Sequence, residues 1–158
     1  MHKAFGDKLI EVTKRHTGEI AKQWSKAVRK NPRTPSYHSA DMDRCIVNAL
    51  EFYINIGLLY FSEKPYKEIH EFFREYAAKQ FNEDIPLEKA IYALIMMRRH
   101  IWLNAESRAV FAALDQHQAV EGINRTICIF DQAIYIVIQY YEDLKIKQLD
   151  TGGKIKRA

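Results

Sequence analysis

Apolar residues recur at steps of three and four along most of the chain, which is the period of an amphipathic α-helix. The series near the N-terminus is Leu9, Val12, His16, Ile20, Trp24 and Val28. It fits one long helix or two helices joined near Thr17-Gly18. The series ends at Asn31-Pro32, because a residue that precedes proline disfavours the α conformation.

Three further helices are predicted between the loops that contain proline. The first of these has Ser39 as its N-cap and is apolar on two faces, which is typical of a helix in the middle of a bundle. The last contains eight consecutive apolar residues and is therefore buried all round over two turns. The predicted ranges are Ala40–Phe61, Pro65–Phe81 and Pro86–Trp102, the last extending as far as Leu114 in its longest form.

The final segment is rich in β-branched residues, which by propensity alone favour a strand. Its apolar positions nevertheless alternate steps of four and three over three heptads, which predicts a helix with a continuous seam for a second helix. The seam consists of Ile123, Ile127, Phe130, Ile134, Val137, Tyr141 and Leu144. We expect it to join two copies of the chain, although packing within one chain, on Met42–Tyr60 and Ile91–Ile101, fits the same pattern.

Composition supports one all-α domain. The chain has 158 residues, 47% of them apolar, with six glycines and four prolines, which are few for an all-β protein of this size. We expect a helical bundle of about five to seven helices over residues 1–148. Residues 149–158 have little to bury, and Gly152-Gly153 predicts a basic, flexible tail.

The formal charge of +4 lies entirely in the last fourteen residues. Residues 1–30 carry eight basic and three acidic side chains, whereas residues 31–144 carry eleven basic and sixteen acidic ones. The body is therefore neutral but polarised, which favours pairing with an acidic protein surface over binding of nucleic acid. We expect no nucleic-acid partner.

Cysteine spacing and the apolar runs predict a cytoplasmic protein. Cys45 and Cys128 lie far apart in apolar stretches and are expected to be reduced core thiols. The longest apolar run, Ala90–Met97, is much shorter than the roughly 20 residues of a membrane helix. The first residues lack the apolar core of a signal peptide. We expect no membrane association.

No pattern of catalytic or metal-ligating residues is visible in the sequence. A diiron bundle needs two ExxH pairs, and the chain has none. His16 with Glu19, and His117 with Glu121, have helical spacing but are more typical of surface ion pairs than of metal sites. Nucleophile-elbow, zinc-protease and phosphate-loop motifs are also missing. The prediction is a non-enzymatic protein with no metal and no cofactor.

One group of polar residues stands out against the apolar helices. Arg98, Arg99 and His100 precede Trp102 at the end of the all-apolar helix, and Asp131 lies beside the heptad seam. A buried carboxylate requires a partner, and Arg98 or Arg99 is the natural candidate. The group predicts either a structural ion pair between two helices or a polar floor for a small ligand.

Several short segments, taken in order, resemble the N-terminal sensor domain of the RsbR-type co-antagonists of the bacterial stressosome. The resemblance covers about residues 18–144 and has no single diagnostic motif. Its segments are Ile20–Trp24, Thr34–Tyr37, Ile85–Ile91, Leu94–Trp102, Phe130–Ala133 and Tyr140-Tyr141.

The resemblance implies a globin-like domain without haem, which dimerises and serves as the sensory input to a regulatory output domain in stress signalling. In that family the last helix continues as a linker into the output domain, whereas this chain ends at Ala158. We therefore expect an input module, or a fragment, whose output partner is a separate protein. The alternatives are a haem-binding globin that uses His70 or His100, and a small helical enzyme.

Overall fold

The computed structural model describes residues 11–60, 65–107 and 116–156, and every regular element in them is helical. The prediction of an all-α bundle of about five to seven helices is confirmed. Of the predicted helical positions, Leu9, Phe61 and Leu114 lie outside the described residues. After a short helical stretch at 11–15, the elements are α1 (Thr17–Lys30), a 3-10 turn (Pro35–Tyr37), α2 (Met42–Tyr60), α3 (Pro65–Asn82), α4 (Leu87–Ser107) and α5 (Gln116–Lys156).

The first helical segment is broken, as one of the two sequence interpretations predicts. His16 lies in a turn between the stretch at 11–15 and α1. α1 ends at Lys30, and Asn31 before the proline has an extended backbone with ψ of 128°. The Thr34 hydroxyl donates a hydrogen bond to the Val28 carbonyl at 2.6 Å, which satisfies a carbonyl in the last turn of α1.

The core is built where α1 packs on α2 and α4, and where α3 and α4 pack on α5. Two buried side chains attach their helices to the backbone of α4. The Trp24 indole donates to the Ala93 carbonyl at 3.1 Å, and the Tyr53 hydroxyl donates to the Met97 carbonyl at 3.0 Å. Because the two carbonyls are one turn apart, α1 and α2 are both fixed against the same part of α4.

The heptad seam of α5 is used inside the chain. Phe130, Val137 and Tyr141 are buried against α3 and α4, whereas the other four seam residues are half-buried. Ala133 and Ile136 are buried as well, so the packed face is wider than a coiled-coil stripe. The predicted dimer seam therefore does not run along these buried positions.

The end of α5 differs from the predicted tail. The helix continues through Gly152 and ends at Lys156. Residues 145–152 are all exposed, which agrees with a segment that has little to bury. The stretch just after Leu144 consists largely of good helix formers, so extending an existing helix by a few residues costs little.

The junction between α3 and α4 is a Schellman turn. Asp84 has a φ of 58°, the left-handed conformation that normally favours glycine. The Ile85 amide donates to the Gln80 carbonyl at 3.1 Å, and the Asp84 amide donates to the Phe81 carbonyl at 3.0 Å. These two hydrogen bonds satisfy the end of α3 and turn the chain directly into α4.

We expect the Asp84→Gly variant to raise the free energy of unfolding by about 0.5 to 1 kcal/mol, because glycine adopts positive φ without steric cost. Asn82→Gly is the matched control: Asn82 is the last residue of α3, and glycine there lowers stability. Urea unfolding of both variants measures the difference. A loss of stability in Asp84→Gly would contradict the prediction.

Candidate functional site

Asp131 does not join the polar residues of α4. Its side chain is exposed, and among the described residues it forms no ion pair. The predicted pairing with Arg98 or Arg99 is therefore wrong. The reason is geometric: Asp131 follows the buried Phe130 by one residue, and a single step turns the side chain by about 100° about the helix axis, out of the seam.

The polar residues in the second half of α4 instead interact locally. The Arg98 guanidinium lies 5.3 Å from the centroid of the Trp102 ring, one turn further along the helix, which is a cation–π contact. Burial, together with the neighbouring charge of Arg99, lowers the pKa of His100. The Nδ1 atom of His100 and the Nε1 atom of Trp102 are buried without a hydrogen-bond partner in the described structure.

Of the two histidine–acid pairs, only His16 with Glu19 has the geometry of a surface ion pair. His16 Nδ1 lies 3.8 Å from a Glu19 carboxylate oxygen, and Glu121 pairs with Arg125 at 3.5 Å rather than with the exposed His117. Over residues 11–60, 65–107 and 116–156, no three His, Cys, Asp or Glu side chains are grouped so as to hold a metal ion.

The two cysteines differ in their surroundings. Cys45 is buried, as the sequence predicts, but Cys128 is exposed because it follows the seam residue Ile127 by one position. Burial raises the pKa of the Cys45 thiol. A thiol with a raised pKa is a weak nucleophile at neutral pH, so Cys45 is not activated for catalysis.

A cavity of about 520 Å³ opens between the 3-10 turn, α2 and α3. Sequence reasoning missed it. Its volume lies within the range of small-molecule sites, and its lining combines rings with convergent polar groups, as such sites do. The rings that contribute to the lining are Trp24, Tyr37, Phe52, Phe72 and Tyr76.

A buried hydrogen bond joins two residues of the cavity lining. The Tyr37 hydroxyl donates to the Gln80 side-chain oxygen at 2.7 Å, and both residues are buried. Tyr76 also lines the cavity, and burial raises the pKa of the Tyr37 and Tyr76 phenols. Both hydroxyls therefore stay protonated at neutral pH.

Charged side chains surround the mouth of the cavity. Arg44 on α2 forms an ion pair with Glu83, just beyond the end of α3. Lys79 donates a hydrogen bond to the Asn48 side-chain oxygen at 2.7 Å. Both contacts join α2 to the C-terminal part of α3, so they brace the two walls of the opening.

One residue of the cavity lining is hydrogen-bonded to α5. Ile85 lines the cavity, and its carbonyl accepts a 2.8 Å hydrogen bond from the Tyr141 hydroxyl of α5. The Tyr141 ring also packs edge-on against Phe81 at 5.3 Å, and Arg74 lies 5.0 Å from the centroid of the Tyr140 ring. One face of α3 thus borders the cavity while another holds α5.

A second cavity, of about 610 Å³, lies between the end of α2, the start of α3 and the first turns of α5. Apolar side chains such as Leu59, Ile69 and Ile129 line it, together with Arg125 and the exposed Cys128. None of the five residues predicted as a polar core lines either cavity.

We expect Tyr37→Phe to lower the free energy of unfolding by about 1 to 2 kcal/mol, because it leaves the buried Gln80 oxygen without its donor. Tyr66→Phe removes a hydroxyl from a side chain that is 79% exposed and should change stability by less than about 0.5 kcal/mol. Equal midpoints of urea unfolding for the two variants would show that the buried hydrogen bond does not contribute to the free energy of unfolding.

No helix within the described ranges is long and apolar enough to cross a membrane.

Comparison with known proteins does not add to these observations. No protein-family model, no curated protein and no solved structure matches this chain. The functional conclusion therefore depends on the geometry above and on the resemblance found in the sequence.

Proposed function

We propose that this chain is a non-enzymatic sensory domain of bacterial signal transduction, of the haem-free, globin-like kind found in stressosome co-antagonists. The cavity between α2 and α3 receives the signal, and α5 passes it to a partner protein in the cytoplasm. The observation that carries the proposal is the double role of Ile85, which lines the cavity and whose carbonyl accepts the hydrogen bond from Tyr141 of α5.

A change at the cavity has a short path to α5. Tyr76 and Gln80 of α3 lie in the cavity wall, and Phe81 of the same helix contacts Tyr141. Because packed helices move as rigid elements, a ligand that shifts α3 shifts the contacts of α3 with α5. This arrangement supports a sensory role without requiring a catalytic group.

The haem-binding alternative has no comparable support. His70 is exposed on α3, and His100 is half-buried on α4. Neither histidine lines the 520 Å³ cavity or the 610 Å³ cavity. The proposal therefore includes no cofactor.

We propose further that the free end of α5 forms the interface of a homodimer. Ile146 is 56% exposed and Leu149 is 75% exposed on a stretch of helix that extends past Tyr141, and every side chain described from 145 to 152 is exposed. An isolated helix of this length is marginal in water, so packing against the same segment of a second copy would stabilise it. Acidic Glu142 and basic Lys145 lie close to the apolar pair, so both signs of charge are present for pairing across the interface.

We expect light scattering of the wild-type chain at micromolar concentration to give twice the monomer mass of 18.6 kDa. The double variant Ile146→Lys, Leu149→Lys should give the monomer mass, because two charges then face two charges across the interface. Its control, Val47→Lys with Leu58→Lys, alters exposed apolar residues of α2 and should remain dimeric. A wild-type mass of 18.6 kDa at every concentration, or a monomeric control, would refute this interface.

A further inference from the structure

The wall of the 520 Å³ cavity presents aromatic rings to its interior. Phe52 is buried at the centre, with its ring centroid 5.8 Å from that of Phe72 and 5.7 Å from that of Tyr76. Phe72 and Tyr76 are only half-buried and line the cavity, so part of each ring is accessible from it. The face of an aromatic ring carries partial negative charge and attracts cations.

The charges that line the same cavity do not balance. Four carboxylates, Asp41, Glu51, Glu75 and Glu83, face two basic groups, Arg44 and Lys79. Glu83 forms an ion pair with Arg44. Lys79 donates a hydrogen bond to Asn48, which is neutral and does not cancel its charge. Within the described chain no ion pair involves the other three carboxylates, so the lining carries a net charge of −2 from four acids and two bases.

We propose that this cavity binds a small organic cation, an amine or a quaternary ammonium compound, with its charge between Glu51 and Glu75 and beside the ring of Tyr76. The inference rests on the proposed sensory function and specifies the chemical class of the signal. An anionic ligand would meet three unpaired carboxylates at the opening. A bare metal ion would lack ligands, because the described side chains include no metal-binding group of three.

The experiment is a calorimetric titration of the full chain with choline and with the uncharged analogue of choline, in which a tert-butyl group replaces the trimethylammonium group. The two probes have nearly the same shape, so their difference in affinity isolates the contribution of the charge. We expect choline to bind at least about tenfold more tightly than the analogue.

Two variants assign the charge effect to this cavity. Glu51→Gln with Glu75→Gln should weaken choline binding about tenfold and leave the affinity for the neutral analogue unchanged. Glu142→Gln, which removes an exposed carboxylate of α5, is the matched control and should bind choline as the wild type does. Circular dichroism of each variant verifies that the helical fold is intact.

Each outcome separates this inference from the proposed function. Equal affinity for the two probes would overturn the cation assignment while leaving a ligand-binding cavity in place. An absence of choline binding, or unchanged binding in the double variant, would also overturn it. The homodimer interface of the proposed function is tested independently, by the mass of the protein without ligand.

Discussion

Replacement of Phe73 by alanine is expected to lower the free energy of unfolding by about 3 to 5 kcal/mol. Phe73 lies in the middle of α3 and is completely buried. Its ring centroid lies 5.0 Å from that of Phe72, 6.0 Å from that of Phe52 and 6.4 Å from that of Tyr76. Alanine removes these contacts and leaves a cavity that surrounding helices can only partly fill.

Urea unfolding followed by circular dichroism measures this loss. A domain of this size has a total stability of about 5 to 15 kcal/mol, so the variant should show a much lower midpoint. Tyr66→Ala removes another aromatic ring from α3, but one that is 79% exposed, and should change stability little. A Phe73→Ala midpoint equal to that of Tyr66→Ala would mean that Phe73 is not part of the core.

Helices were predictable from the sequence because their apolar spacing reflects burial directly. Ile20, Trp24 and Val28 are predicted on one face of α1, and all three are buried in the structure. The prolines predicted where helices begin and end, because proline restricts the backbone dihedral angles independently of tertiary contacts. The break at His16 had only a weak signal, in the glycine two residues later.

The partners of a helix were harder to predict than the helix. The α5 seam shows which positions pack, but the same spacing suits a helix of another copy or a helix of the same chain. Phe130 and Val137 pack inside their own chain. Asp131 was expected near the core because it lies beside the seam, and Cys128 because it lies in an apolar stretch, but both side chains are exposed.

The cavity left no pattern in the sequence. The hydrogen bond in its lining joins Tyr37 of the 3-10 turn to Gln80 of α3, which are 43 residues apart, and no periodic signal connects them. The spacing of apolar residues predicts which faces are buried, but not where two packed helices leave a gap. A buried tyrosine and a buried glutamine become recognisable as a site only after α2 and α3 have been placed.

Three buried tyrosines and the half-buried Tyr76 should make the protein unfold steeply at alkaline pH. Burial raises the pKa of Tyr37, Tyr53 and Tyr76 well above the ordinary value, and that of Tyr141 to about 12. Between about pH 10 and pH 12 the unfolded chain releases phenolic protons that the folded chain retains. The unfolded state then binds fewer protons, so the free energy of unfolding falls as pH rises.

The expected slope is large. Each retained phenolic proton contributes about 1.4 kcal/mol per pH unit, so four give about 5.6 kcal/mol per pH unit and exhaust a typical stability by about pH 12. Urea unfolding measured at several pH values gives the slope. In Tyr53→Phe this slope should be smaller by about a quarter, because one of the four phenols is removed. The control Phe52→Leu disturbs the same core but removes no phenol, so it should lower the free energy of unfolding by the same amount at each pH. An equal slope in wild type and Tyr53→Phe would mean that the Tyr53 phenol ionises as readily in the folded protein as in the unfolded chain. We expect the opposite, because this phenol is buried and donates a hydrogen bond to the Met97 carbonyl of α4.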